Sequence, residues 1–154
     1  MKTIKLIIAR IKNFYIGIPY KGIKNILPVT YKMQKSHVIH TKHMNLQTLS
    51  KVWGFSDIFR YRGKILKIVD FLRIWKIDRG IHIYRYAIIS ENFVIKVDDV
   101  LDINDFYVKN IVLFPLYLQK INDMEYVWGI LKDVNRIIYL LDISLLEPNK
   151  EEKK

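Results

Sequence analysis

Apolar residues in this chain recur with a period of two, or in short continuous runs, and turn residues separate the runs. This pattern predicts β-strands, because alternate side chains of a strand face the same side of a sheet. Pro19 ends one of these strands, since proline lacks the N–H that a ladder needs. The predicted strands cover residues 4–11, 14–18, 52–61, 64–70, 82–90, 93–97, 100–103, 126–131 and 137–142, with an edge segment at 111–118.

Short polar connections between these runs predict tight turns and hairpins. The turns fall at Lys12-Asn13, Arg62-Gly63, residues 78–80, Glu91-Asn92 and residues 133–136. Residues 31–51 have no clear period and predict a long, basic loop, whereas residues 143–146 predict the start of a short helix. Strands at this spacing are typical of one or two small barrels.

Charge is distributed unevenly along the chain. The net charge is +11, from 26 Lys and Arg against 15 Asp and Glu, and ten of the basic residues precede the first acidic residue, Asp57. A one-sided positive field attracts an acidic partner, which could be a nucleic acid or an acidic protein face. A lysine-rich composition of the whole proteome would also explain the excess, but it does not explain why acidic residues avoid one end.

Four segments in order along the chain resemble the CheW family of chemotaxis adaptors. They are residues 16–26 around Gly22, residues 62–70 beginning at the Arg62-Gly63 turn, residues 88–103 with Val97-Asp98-Asp99-Val100-Leu101, and the closing hairpin at 126–143. No single motif is specific, and the order and spacing of the four carry the resemblance. It implies an all-β, CheW-like fold of two linked five-stranded small β-barrels (SH3-like) with a short C-terminal helix. Residues 1–148 would then form one domain of two barrel subdomains, followed by a charged tail at 149–154.

The resemblance also implies a non-enzymatic adaptor that needs no cofactor. Its partners would be the regulatory domain of the histidine kinase CheA and the methyl-accepting chemotaxis receptors. In the family, the arginine at Arg62 lies near the groove that contacts the receptor and helps to hold a charged contact, and Ile23 matches a position that faces this groove. Gly63 would permit a positive φ or the close approach of a partner backbone.

The chain departs from the family pattern around this predicted partner-binding site. Asp57 and Arg60 stand where the family usually has Gly and Asn, and Lys67 stands where it has Pro. Asn25 replaces a common acidic residue. The positions that match the family's site and those that depart from it together form the candidate partner-binding residues: Arg62, Gly63, Ile23, Asn25, Arg60 and Asp57.

Other chemistry receives little support from the sequence. His37, His40 and His43 share a spacing that could bind a divalent metal on a helix face, but the loop holds no acid to complete the shell, which favours a solvated polar loop. Asp98 and Asp99 are adjacent and would point to opposite faces of a strand, which is poor geometry for paired acid and base. Asp70 and Asp142 each close an apolar strand, which favours a capping or turning role.

The expected location is the cytoplasm, at receptor arrays on the inner membrane. Cysteine is absent, Arg10 and Lys12 end the first apolar run too early for a signal peptide, and no apolar stretch reaches the roughly 18 residues of a membrane span. Two alternatives to the adaptor remain open. One is a basic small barrel that binds nucleic acid, and the other is a CheW-like array element that has lost receptor coupling.

Overall fold

The computed structural model describes residues 1–29, 55–77, 84–121 and 124–146, and for residues 55–59, 119–121 and 145–146 it describes the backbone alone. The chain divides into two compact units. Unit 1 comprises Met1–Lys21 and Val100–Lys154, and unit 2 comprises Gly22–Asp99. The long basic loop with its three histidines, the turn at 78–80 and the tail at 149–154 lie outside the described residues.

The described residues form strands with two short α-helices and two 3₁₀ turns. In chain order they are β1 Thr3–Ile11, β2 Phe14–Pro19, β3 Ile23–Pro28, β4 Phe55–Tyr61, β5 Lys64–Val69, α1 Phe71–Ile74, β6 Tyr86–Ser90, β7 Phe93–Val97, β8 Asp99–Tyr107, a 3₁₀ turn Val108–Asn110, β9 Ile111–Leu113, α2 Leu116–Ile121, β10 Val127–Asp133, β11 Arg136–Leu141 and a 3₁₀ turn Ile143–Leu146. Neither α1 nor α2 has the length and apolar character with which a helix crosses a bilayer.

Unit 1 is built on a six-stranded sheet in the order β8-β1-β2-β11-β10-β9. Two antiparallel hairpins, β1–β2 and β10–β11, are joined by parallel pairing of β2 with β11. The continuous apolar run of β1 is buried on both faces, since residues 6–9 are all fully buried. The core of this sheet is formed by five buried aliphatic side chains: Leu6, Ile8, Leu131, Ile138 and Leu140.

Unit 2 is built on a five-stranded sheet in the order β3-β6-β7-β5-β4. Its inner face buries a second apolar cluster, Leu66, Ile68, Ala87, Ile89 and Val94. The two edge strands approach each other, because Asn25 Nδ2 on β3 donates a hydrogen bond of 3.0 Å to the Tyr61 hydroxyl on β4. The sheet is therefore curled enough for side chains of its two edge strands to meet at this point.

The all-β prediction is confirmed, and the short terminal helix at Ile143–Leu146 is confirmed as a 3₁₀ turn that Asp142 begins by accepting a hydrogen bond from the Ser144 N–H. Among the described residues, the sheet of unit 2 has five strands, as in each of the predicted five-stranded barrels, and the sheet of unit 1 has six. The extra strand is β9 at the edge of the sheet, paired with β10.

Two predicted strand boundaries are wrong and one short helix was not predicted, each for a physical reason. The edge segment at 111–118 ends as a strand at Leu113, because Pro115 has no N–H for a ladder and its carbonyl instead accepts from the Leu118 N–H of α2. The strand at 100–103 continues to Tyr107, where mostly exposed positions hide it from a hydrophobic pattern. Helix α1 was not predicted, because four residues are too few to show a helical period.

A buried polar cluster of Asp70 and Tyr84 holds α1 in place directly after β5. Asp70 caps the helix by accepting a hydrogen bond of 3.1 Å from the Leu72 N–H, and the same carboxylate oxygen accepts one from the Tyr84 hydroxyl. Asp70 and Tyr84 are 6% and 4% exposed, so this is a contact in the interior. The predicted capping role of Asp70 is confirmed. Burial, followed by the negative charge of Asp70, raises the pKa of Tyr84 well above its usual range.

We expect Tyr84→Phe to change how stability depends on pH at the alkaline end. The native state keeps the Tyr84 proton where an unfolded tyrosine, with its pKa near 10, loses it. The contribution of the Tyr84 hydroxyl to the free energy of unfolding is therefore complete below pH 10, and it declines at higher pH by about 1.4 kcal/mol per pH unit. Urea unfolding of both proteins between pH 8 and roughly 11 measures this, and a wild-type advantage over Tyr84→Phe that stays constant across the range would contradict it.

Candidate functional site

The connection between β4 and β5 is a two-residue hairpin turn. Tyr61 and Lys64 are the last paired residues, and the two turn residues, Arg62 and Gly63, have φ of 50° and 78°. Positive φ at both central positions defines a type I′ turn, whose twist matches that of the flanking strands. Gly63 satisfies this conformation without strain, and Arg62 adopts it although it carries a Cβ. The turn therefore carries the exposed Arg62 side chain at the tip of the β4–β5 hairpin.

A shallow groove of about 300 Å³ opens beside this turn. Three cationic side chains and one carboxylate line it together with a hydroxyl and two apolar surfaces. The lining residues are Lys24, Tyr61, Arg62, Lys64, Leu66, Ser90 and Glu91. Positive charge thus exceeds negative charge in a concave surface whose floor is partly apolar.

Tyr61 connects the groove to the opposite edge of the sheet. The Arg62 guanidinium carbon lies 5.2 Å from the centre of the Tyr61 ring, within the range of a cation–π contact. The Tyr61 hydroxyl is in turn held by Asn25. A chain of contacts thus runs from Asn25 through Tyr61 to Arg62. The sequence prediction missed Tyr61. Two features of the sequence could have indicated Tyr61. It comes directly before the Arg62-Gly63 turn, and the alternation of side chains along the strand places it, with its pairing partner Lys64, on the inward-facing side of the sheet.

An irregularity in β3 accounts for the position of Lys24. The pairing with β6 shifts between Ile23, which is opposite Ser90, and Asn25, which is opposite Ile89. A bulge of this kind re-aims the extra residue, and Lys24 is exposed and lines the groove. Lys64, on the other wall, donates a hydrogen bond of 3.2 Å to Asn92 Oδ1.

The structure brings together some of the predicted site residues and separates others. Arg62 lines the groove, Gly63 shapes its turn, and Asn25 acts on it through Tyr61. Ile23 is half-buried beside Lys24. Arg60 is exposed and is paired with Ile65, which is 60% exposed. The next residue along β5, Leu66, is buried and lines the groove.

Because successive side chains of a strand point to opposite faces, Arg60 faces away from the groove. Asp57 lies on β4 opposite Ile68, and its side chain lies outside the described part of the chain. Within the described ranges, no three His, Cys, Asp or Glu side chains come close enough together to hold a metal ion.

The fold matches a solved structure over nearly the whole of both chains. The scaffolding protein TtCheW from Thermoanaerobacter tengcongensis superposes with a TM-score of 0.62 at 18% sequence identity, covering 97% of this chain and 91% of that chain. The chain has the CheW fold. The resemblance that the four sequence segments predicted is thereby confirmed at the level of the fold. No protein-family model and no curated protein matches the sequence.

Proposed function

We propose that this chain is a non-enzymatic adaptor of a chemotaxis array that couples methyl-accepting chemoreceptors to the histidine kinase CheA in the cytoplasm. The observation that carries the proposal is the CheW fold, which extends over 97% of this chain and 91% of a protein described as a scaffold. The structural match to that scaffold protein covers both units of this chain and not a single barrel alone. An adaptor acts by position, since it holds receptor and kinase together so that a change in one alters the other.

The Arg62 turn supports a receptor-binding surface on unit 2. A guanidinium on a two-residue turn presents a planar fork of donors. Its cation–π contact with Tyr61 restricts the Arg62 side chain before a partner binds, which lowers the entropy that binding would otherwise cost. Among the described residues, and apart from its two chain neighbours, no atom lies within 4 Å of the position that a Cβ on Gly63 would take, so this side of the turn leaves room for a partner backbone. We assign receptor contact to this surface and kinase contact to a different one.

We expect the purified protein to form a stoichiometric complex with the isolated regulatory domain of its cognate CheA, because an adaptor must hold the kinase without the receptor present. Isothermal titration calorimetry and size-exclusion chromatography measure the complex. Absence of both heat and co-elution at high concentration would contradict the adaptor. A strong electrophoretic shift of duplex DNA or RNA at near-physiological salt, growing with duplex length, would favour the nucleic-acid alternative instead.

We expect Arg62→Asn to weaken receptor binding by about 2 kcal/mol, or roughly 30-fold, because a desolvated charged contact is lost. Asparagine adopts positive φ more readily than arginine, so the variant keeps the turn. Binding to the kinase domain should be unchanged, and a thermal melt should show no loss of stability. Wild-type receptor affinity in Arg62→Asn would favour an array element without receptor coupling.

A further inference from the structure

Lysines and tyrosines converge at one end of the sheet of unit 1. Tyr20, which directly follows β2, donates its backbone N–H to the Lys5 carbonyl of β1 over 3.0 Å. On the other side of β1, the Val108 N–H donates over 3.1 Å to the Lys2 carbonyl, which brings the 3₁₀ turn after β8 beside the start of β1. The exposed side chains at this end form what we call the lysine–tyrosine surface: Lys2, Lys5, Tyr20, Lys21, Tyr107 and Lys109.

Lys5, Tyr20 and Tyr107 lie on the same face of this sheet. Ile4 and Phe106 pack against the core cluster of unit 1, and successive side chains of a strand alternate, so Lys5 and Tyr107 point to the opposite face. Tyr20 shares that face, because Lys5 Nζ lies 4.7 Å from the centre of its ring. Since β1 lies between β8 and β2, the strands that lead to the two tyrosines are about 10 Å apart.

Each of the two tyrosine rings has a positive charge beside it and remains accessible. Lys109 Nζ lies 5.6 Å from the centre of the Tyr107 ring, as Lys5 Nζ lies close to the Tyr20 ring. Tyr20 and Tyr107 are nonetheless 44% and 47% exposed. Within the described ranges, none of the four lysines of this surface forms an ion pair. Asp105 is exposed on the same face of β8, so four positive charges stand against its single negative charge.

We propose that the lysine–tyrosine surface binds single-stranded nucleic acid, with its lysines taking phosphates while Tyr20 and Tyr107 stack on unpaired bases. The inference does not rest on the proposed function, because this surface belongs to unit 1 and the groove beside the β4–β5 turn belongs to unit 2. It also gives a role to part of the positive charge that precedes the first acidic residue of the chain. Three of those ten basic residues meet here: Lys2, Lys5 and Lys21.

The exposed rings favour a single strand over an acidic protein segment. Carboxylate side chains pair with lysines but offer no extended planar surface to a tyrosine. Every nucleic-acid base has such a surface, and proteins that bind single strands without sequence preference combine a positive surface with aromatic side chains on which bases stack. A duplex keeps its bases stacked on one another, so its binding would use the lysines but not the tyrosines.

The test compares two labelled strands of about 12 nucleotides, one of thymidines and one abasic strand with the same number of phosphates. Fluorescence anisotropy on the full chain at about 50 mM salt should show at least about tenfold tighter binding of the thymidine strand, because only its bases can stack. The double variant Tyr20→Leu, Tyr107→Leu should remove this preference and leave the affinity for the abasic strand unchanged. Equal affinities of the wild-type protein for the two strands, or no binding of either, would overturn the proposal.

Removal of charge tests the lysines separately. The double variant Lys5→Gln, Lys109→Gln should lower the slope of log affinity against log salt by about 1.4, since each phosphate neutralised on a single strand contributes about 0.7. The matched control, Lys76→Gln with Lys132→Gln, removes the same charge from exposed lysines outside the surface and should keep the wild-type slope. An equal loss in the control would show that the field of the whole protein binds the strand. Displacement of the thymidine strand by polyglutamate of equal charge would indicate an acidic protein partner, and either result would overturn the proposal.

Discussion

Asp70→Ala should destabilise the protein by about 3 kcal/mol, because one carboxylate serves two groups that have no access to water. The Leu72 N–H would lose its cap, which costs about 0.5–2 kcal/mol. The Tyr84 hydroxyl, on a residue that is 4% exposed, would lose this acceptor, and loss of a hydrogen bond to a buried group costs about 1–3 kcal/mol. Urea unfolding followed by circular dichroism at neutral pH measures the change.

Two further variants separate the parts of this effect. Asp70→Asn keeps an acceptor oxygen for both donors and should cost less than Asp70→Ala. The double variant Asp70→Ala, Tyr84→Phe lacks both partners of this hydrogen bond, so its destabilisation should be smaller than the sum of the two single changes. An Asp70→Ala protein within about 0.5 kcal/mol of wild type would show that the cluster contributes little to stability.

The strands and turns could be predicted from the sequence because their signals are local. The β1–β2 hairpin follows from two apolar runs around Lys12-Asn13, and the β4–β5 turn follows from Arg62-Gly63. The positive φ of Gly63 agrees with the expectation for that turn. Where a strand is mostly exposed, as in β8, the pattern no longer marks its length.

The groove could be predicted only in part, because it depends on contacts between distant segments. Asn25 and Tyr61 are 36 positions apart and meet because β3 and β4 are the two edges of one curled sheet. No local pattern reveals which edges approach. The shift in β3 pairing that places Lys24 in the groove depends on β6 in the same way. Family resemblance indicated the Arg62 turn, but it did not indicate the Tyr61 contact.

A second long-range contact leads to the other large expected effect, at Gly17. This residue lies on β2 between Ile8 of β1 and Leu140 of β11, and β11 comes from the far end of the chain. A Cβ at Gly17 would lie 2.6 Å from Leu140 Cδ2 and 3.2 Å from Ile138 Cγ2. Both neighbours are fully buried, so neither can move into solvent. The glycine is therefore required by the close packing of the sheet face.

We expect Gly17→Val to destabilise the protein by about 3 kcal/mol, at the upper end of the usual range for overpacked cores. Leu140→Ala alone should cost about 2–5 kcal/mol, because it leaves a cavity. In the double variant the valine occupies part of that cavity. The destabilisation of the double variant, measured by urea unfolding, should therefore be smaller than the sum of the two single destabilisations by at least about 1 kcal/mol. Gly63→Ala is the matched control. Its cost comes from a φ of 78°, since no atom of the described residues beyond its chain neighbours lies within 4 Å of the added Cβ, so Leu140→Ala should add to it without coupling. Simple additivity at Gly17 would show that unit 1 relaxes around the new side chain and that the close contact with Leu140 does not dictate the glycine.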